Sequence, residues 1–301
     1  MRAGQTYITL ITFLVVLSGG CKSEPSGARL TTDDVGRSVH LPDTVLRAVT
    51  LAPSLTEVVF AAGAGDRLVG VGQPDNFPPS IERLPRFSTY PVDFEAIAAL
   101  DPDLALATDQ VNSPRDAETL AALDIPTYFL SFERIEDVLT GILTVGDLMG
   151  TQSAARATVD SLRGELSELR DMVRSVERKP EVLFLIGTET LFSFGSESYV
   201  HEMIELAGAV SVTGEIDAVA PVLTDEFVLS RRPEVIMGPW GEADVTADLL
   251  KHHPTWDVVP AIQNGRVYGM HADLVERPGP RLVAGIRAMA EKLHPNLFAA
   301  R

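Results

Sequence analysis

The chain has 301 residues, with 42 acids against 25 bases and a formal net charge of −17. That balance excludes a nucleic-acid binder, which needs basic patches to displace counterions from phosphates; solubility is its plainest use. The only cysteine, Cys21, leaves no intramolecular disulfide and no cysteine-based metal site.

Arg2 followed by the apolar run Ile8 to Leu17 reads as a secretory signal peptide. Ten residues reach about 15 Å as a helix, half of a bilayer core. Leu17-Ser18-Gly19-Gly20-Cys21 resembles a bacterial lipobox, which implies that Cys21 becomes the acylated first residue. The alternative is an ordinary signal peptide with an incidental cysteine. Lys22 to about Asp34 is rich in Ser, Pro, Gly, Thr and Asp and reads as a flexible tether.

Ala48 to Ala52 is a strand candidate, and Ser54 with Glu57 three residues on is a capping-box signature for a helix ending at Gly63. Leu68 to Val71 is the next strand, followed by a Pro-rich loop over Pro74 to Pro91. Asp93 can cap a helix that carries Glu95 and ends near Leu100. Leu104 to Ala107 is a buried strand, Ala117 to Leu123 a helix, and Thr127 to Leu130 another strand. Strands alternating with helices imply a mostly parallel sheet.

Glu226-Phe227-Val228 and Pro233-Glu234-Val235 echo Glu95-Ala96-Ile97 and Pro102-Asp103-Leu104 at a distance of 131 residues. That distance is the size of a lobe and too long for a solenoid repeat. The second half repeats the plan of the first, with strands at Glu181 to Ile186, Val235 to Met237 and Val267 to Met270. A helix over Tyr199 to Leu206 ends at Gly208, Thr224 caps the helix holding Glu226, and Pro280 opens a last helix. Between the halves, Ala155, Val159, Leu162, Leu166, Leu169, Val173 and Val176 form one apolar stripe on a long helix. Packing on the neighbouring lobes, rather than a coiled coil, accounts for that stripe.

The expected architecture is therefore α/β, two lobes with mostly parallel sheets joined by one long rigid α-helix. The signal peptide and lipobox occupy 1–21, the tether and N-terminal segment 22–46, and the first lobe 47–150. The linker helix spans 151–178 and the second lobe 179–301. A crevice between two lobes is the natural place for a ligand.

Taken together, the lipobox, Leu51-Ala52-Pro53-Ser54-Leu55-Thr56-Glu57, Val69-Gly70-Val71, the Pro-rich loop, Glu95 and Pro102-Asp103-Leu104 carry a resemblance. The chain is similar to the class III, helical-backbone substrate-binding proteins of ABC importers for vitamin B12, iron–siderophores and haem. Pro53-Ser54-Leu55-Thr56-Glu57 and Glu276-Arg277-Pro278-x-Pro280-Arg281 lean towards the cobalamin branch. The resemblance implies two Rossmann-like lobes and a metal-chelate ligand, a corrinoid above all, with an iron–siderophore or haem receptor as the alternative. It implies an extracytoplasmic lipoprotein of the cell envelope, monomeric, held to the membrane by its N-terminal lipid and working with an ABC permease and its ATPase. It places Glu95 and Glu226 where one surface glutamate per lobe meets arginines of the permease. First helical turns favour such anions, and carboxylate–guanidinium pairs are strong. It places ligand contacts at Pro53, Ser54, Tyr90, Asp109 and Gln110 in the first lobe. In the second they fall at Phe192, Trp240, Asp273 and Arg277. Aromatic faces suit a flat macrocycle, and Arg277 suits a carboxylate or phosphate. The chain departs from the better-known cobalamin binders in its two tryptophans, Trp240 and Trp256, with Thr108, Ala220 and Leu274 where aromatic residues are expected. That leaves room for another corrinoid or a siderophore.

An enzyme on the same scaffold is the competing class. Gly195-Ser196-Glu197 lacks the nucleophile elbow, and no Gly-x-Gly-x-x-Gly follows a strand. A bare metal site would need ligands from both lobes, and the first offers one histidine, His40. No catalytic residue, cofactor or protein-bound metal is expected.

Overall fold

The computed structural model of the protein describes residues 28–299. Cys21, its lipobox and the apolar leader lie outside these residues. A hairpin comes first, β1 (Ala28–Thr32) antiparallel to β2 (Ser38–Pro42). This corrects the expectation of a tether as far as Asp34. Val39 and Leu41 alternate into the core, which gives the segment a buried face. The turn is closed by Asp33, whose carboxylate accepts the Arg37 amide at 2.7 Å, and by Gly36 in the left-handed region.

Five strands follow: β3 (Ala48–Thr50), β4 (Leu68–Gly72), β5 (Arg86–Phe87), β6 (Leu104–Thr108) and β7 (Thr127–Leu130). They form one parallel sheet in the order β5-β4-β3-β6-β7. Every residue of the inner strand β6 is buried, as a parallel strand covered on both faces requires; the edge strand β7 is buried along its whole length as well. The crossovers are α1 (Pro53–Ala61), α2 (Phe94–Ala99) and α3 (Pro114–Ala121), and α4 (Ile135–Met149) follows β7.

Gly150 ends α4 with a positive φ, and α5 (Gln152–Val173) starts at once. Along its 22 residues Ala155, Val159, Leu166, Leu169 and Val173 are buried. They pack against α4, α1 and two helices of the second half, so the stripe is intramolecular.

The second sheet is β8 (Glu181–Phe184), β9 (Val210–Ser211), β10 (Val235–Gly238) and β11 (Val267–Gly269), parallel in the order β11-β10-β8-β9. Its helices are α6 (Tyr199–Leu206), α7 (Asp225–Arg231), α8 (Thr246–His252), α9 (Pro260–Gln263), α10 (Ala272–Val275) and α11 (Leu282–Leu293). Trp256 is fully buried in this half, with its indole N–H donating to Asp225 at 3.0 Å.

Two caps match the sequence expectation. The Asp93 carboxylate accepts the Ala96 amide at 3.0 Å, and the Thr224 hydroxyl accepts that of Phe227 at 3.3 Å. Two others are corrected. The first-lobe helix α1 starts at Pro53 with no side-chain cap, and Ser54 and Glu57 are both buried. Glu57 turns away to ion-pair with Arg281, 224 residues on. The helix expected from Pro280 begins at Leu282, two residues later, and a further short helix, α12 (Pro295–Phe298), follows it. Among the described residues no helix is long and apolar enough to cross a membrane.

Candidate functional site

A cavity of about 550 Å³ lies between the two halves, within the usual range for small-molecule sites. Its first-half wall comes from residues that directly follow strands: Ala52 to Ser54 after β3, Asp109 to Val111 after β6, and Ser131 to Glu133 after β7. Carboxyl ends of parallel strands are where open α/β sheets hold ligands. The facing wall is Phe194, Glu197, Ser198, Tyr199, Val219 and the segment Glu276 to Pro278. Phe194, half-buried, supplies its aromatic surface, backed by the buried rings of Phe132 and Tyr199.

Local structure fixes each group. Pro53 and Ser54 are the first residues of α1, and Ser198 caps α6 by accepting the Val200 amide at 3.2 Å. Asp109 accepts the Ser131 hydroxyl at 2.8 Å, and the Gln110 amide donates to the Phe132 carbonyl at 2.8 Å. These bonds join the loops after β6 and β7 into one rim.

Beside the cavity the halves are locked by a buried ionic cluster. Arg281 donates from Nε and Nη2 to the two oxygens of Glu57, at 2.8 and 2.6 Å. The Glu57 side chain is 1% exposed. Arg277 pairs with Asp273 at 2.9 Å, donates to the Asn76 amide oxygen at 2.6 Å, and lies 3.8 Å from Glu57. Asn76 in turn donates to Asp273 at 2.9 Å. Arg281 also stacks over Phe77 at 4.3 Å. Asp75 lies behind Glu57 and accepts the Thr56 hydroxyl. Burial pushes its carboxyl up to about 6 against the pull of Thr56 and two arginines. Burial also raises the Glu276 carboxyl, with Arg277 opposing.

The structure brings together Pro53, Ser54, Asp109, Gln110 and Arg277 of the sequence-predicted contacts. It leaves the others outside the lining. Tyr90 is 90% exposed, in the turn after β5. Phe192 sits in an irregular bridge to Val222. Trp240 packs on the core of the second half and donates its indole N–H to the Ile186 carbonyl at 3.3 Å. Asp273 is taken up by the ionic cluster. Phe132, Glu133, Phe194, Glu197 and Tyr199 were not singled out as contacts, whereas Glu276 lies within the expected segment Asp273 to Arg277. The strand-end rule points to Phe132 and Glu133, since they follow a recognisable strand; the others come from loops and helix starts.

Glu95 and Glu226 are exposed in the first turns of α2 and α7. The Glu226 carboxyl is held below the usual range by its own backbone amide and the Thr224 hydroxyl.

Residues 49–274 match the family described as periplasmic binding protein. A substrate-binding lipoprotein of an ABC transporter from Bacillus subtilis (strain 168), YvrC, is 25% identical over 89% of this chain and 87% of its own length. The vitamin B12-binding protein of Vibrio parahaemolyticus is 25% identical over 82% of this chain and 89% of its own. Among solved structures, the periplasmic haem-binding protein RhuT from Roseiflexus sp. RS-1 superposes with a TM-score of 0.72 at 23% identity, covering 83% of this chain and 98% of that one. The chain belongs to the periplasmic binding protein family, with the class III fold of substrate-binding proteins of transporters rather than of enzymes.

Proposed function

We propose that this protein is a lipid-anchored receptor that captures a metal chelate, a corrinoid above all, between two lobes and delivers it to an ABC permease. The observation that carries this reading is a cavity walled by strand ends of one half and by Phe194, Tyr199 and the Glu276–Pro278 segment of the other. Lobes over 47–150 and 179–301, joined by a linker helix over 151–178, are the division that such a cavity uses. Pro53, Ser54, Asp109 and Gln110 contact the guest, while Phe132, Phe194 and Tyr199 cover its apolar face. The ionic cluster around Glu57 holds the cavity largely preformed, which lowers the ordering cost of binding. Glu95 and Glu226 are the permease contacts, and Cys21 carries the lipid.

Calorimetric titration of the mature protein with cyanocobalamin is the direct test. Saturable binding supports the corrinoid reading, and its absence alongside binding of a ferric siderophore transfers the site to the second reading. That second reading, an iron–siderophore or haem receptor, is favoured by one observation: Trp240 and Trp256 are both packed in the second half and neither lines the cavity. The docking role has its own test. Glu95→Ala combined with Glu226→Ala abolishes uptake and leaves ligand affinity intact. Equal loss of uptake and affinity removes the docking assignment.

A further inference from the structure

Four carboxylates face the cavity: Asp109, Glu133, Glu197 and Glu276. All four residues are exposed. Among the described residues none of them has an arginine, lysine or histidine within ion-pair distance, although fourteen such pairs form elsewhere. The lining holds one cation, Arg277. It is already engaged by Asp273, Asn76 and Glu57. A guest with its own anion would have to draw Arg277 away from Asp273 and Asn76, its close partners, while Glu57 keeps Arg281.

Two features oppose this negative field. The N-termini of α1 and α6 both reach the lining. Each contributes about half a positive charge, so together they offset roughly one carboxylate of the four. Screening does not remove the rest. The Debye length is about 8 Å at physiological salt, which is on the scale of the cavity itself. A bound guest also excludes the water that screens the wall.

We infer that the cavity selects its guest by charge and takes cationic metal chelates in preference to neutral ones and neutral ones in preference to anionic ones. This rests on the proposed receptor function and narrows its ligand class. A corrinoid lacking the nucleotide phosphate fits the wall, as does a hydroxamate complex carrying a free ammonium. A porphyrin with two propionates, or a tris-catecholate complex, meets four carboxylates in this lining and one cation, Arg277, that is already engaged; Arg134 and Arg170 belong to the adjoining hollow beyond Glu133 and Glu197. Arg277 then serves to bridge the halves rather than to bind an anionic group.

The test uses the mature protein and four probes: aquacobinamide, cyanocobalamin, haemin and a ferric tris-catecholate. Aquacobinamide should bind at least about tenfold more tightly than haemin at low salt, with cyanocobalamin between them. The preference should shrink towards unity near 1 M salt, where screening acts within about 3 Å. Replacing two wall carboxylates, Glu133→Gln with Glu197→Gln, should reduce the ratio at least about threefold. Haemin or the catecholate binding as tightly as aquacobinamide overturns the inference and leaves the receptor function standing. So does a ratio that ignores salt and the double substitution. If none of the four probes binds at any salt concentration, the chelate reading of the cavity fails and this inference falls with it.

Discussion

Glu57 and Asp273 sit a few residues from the cavity, while Asp109, Glu133, Glu197 and Glu276 line it. The first pair is held by Arg277 and Arg281. The second group has hydroxyls or solvent for company and, among the described residues, no cation at ion-pair distance, Glu276 feeling Arg277 only from further off and being the most desolvated of the four. Burial explains the difference. A carboxylate 1% exposed, as Glu57 is, has lost its hydration and must be matched by a nearby cation and hydrogen bonds. A carboxylate on the wall of an open cavity keeps its water and needs no partner. The paired set therefore holds the two halves together, and the unpaired set is left to meet a guest. One interface does both jobs because its carboxylates are desolvated to different depths.

Arg281→Met breaks this contrast most sharply. It leaves Glu57 buried with Arg277 3.8 Å away as its remaining cation, and should lower stability by about 3–5 kcal/mol. Urea unfolding measures this; a loss under about 1 kcal/mol would mean that Glu57 is better hydrated than its burial implies.

Asp75 sharpens the comparison from another side, because it is buried without an ion-pair partner and its Oδ1 has no hydrogen bond among the described residues. Its carboxyl is raised from 3.8 to about 6 in the fold, so the folded chain holds the proton more tightly than the unfolded chain. Its contribution is complete below pH 3.8 and is lost as pH rises through about 6. A shift of this size corresponds to up to about 3 kcal/mol. Asp75→Asn, which still accepts from Thr56, should flatten the fall in stability between pH 4 and 7. An unchanged slope assigns the pH dependence to other groups.

The smallest effect belongs to the unpaired group. Glu133→Gln with Glu197→Gln should leave the melting temperature within about 2 °C, because neither side chain is buried or ion-paired. A larger drop would show that these carboxylates hold the fold rather than await a ligand.

Much of the scaffold was legible before any coordinate. The alternation of strands and helices, the Asp93 and Thr224 caps and the α5 stripe are all written within a few residues of where they act. Caps join residues three apart and a helical stripe repeats every three or four. Local spacing can be misread when a distant partner competes. Ser54 and Glu57 have the spacing of a capping box, yet Glu57 belongs to Arg281. The β1–β2 hairpin was hidden behind a loop-like composition, because its burial depends on what lies across from Val39 and Leu41.

The candidate site divides along the same line. Pro53, Ser54, Asp109 and Gln110 stand just beyond strands that period and composition mark, so their place at a sheet's carboxyl edge follows from the chain itself. Which residues of the second half face them did not follow. Trp240 packed, half-buried, against the core of its own half, where its N–H finds the Ile186 carbonyl, while Phe194 and Tyr199 took the cavity wall. Sequence alone determined that two similar α/β halves flank one long helix, since those patterns are read over short stretches of chain. Only the tertiary structure decided which carboxylates are matched and which are left open, since ion pairing depends on distances between residues some 200 positions apart.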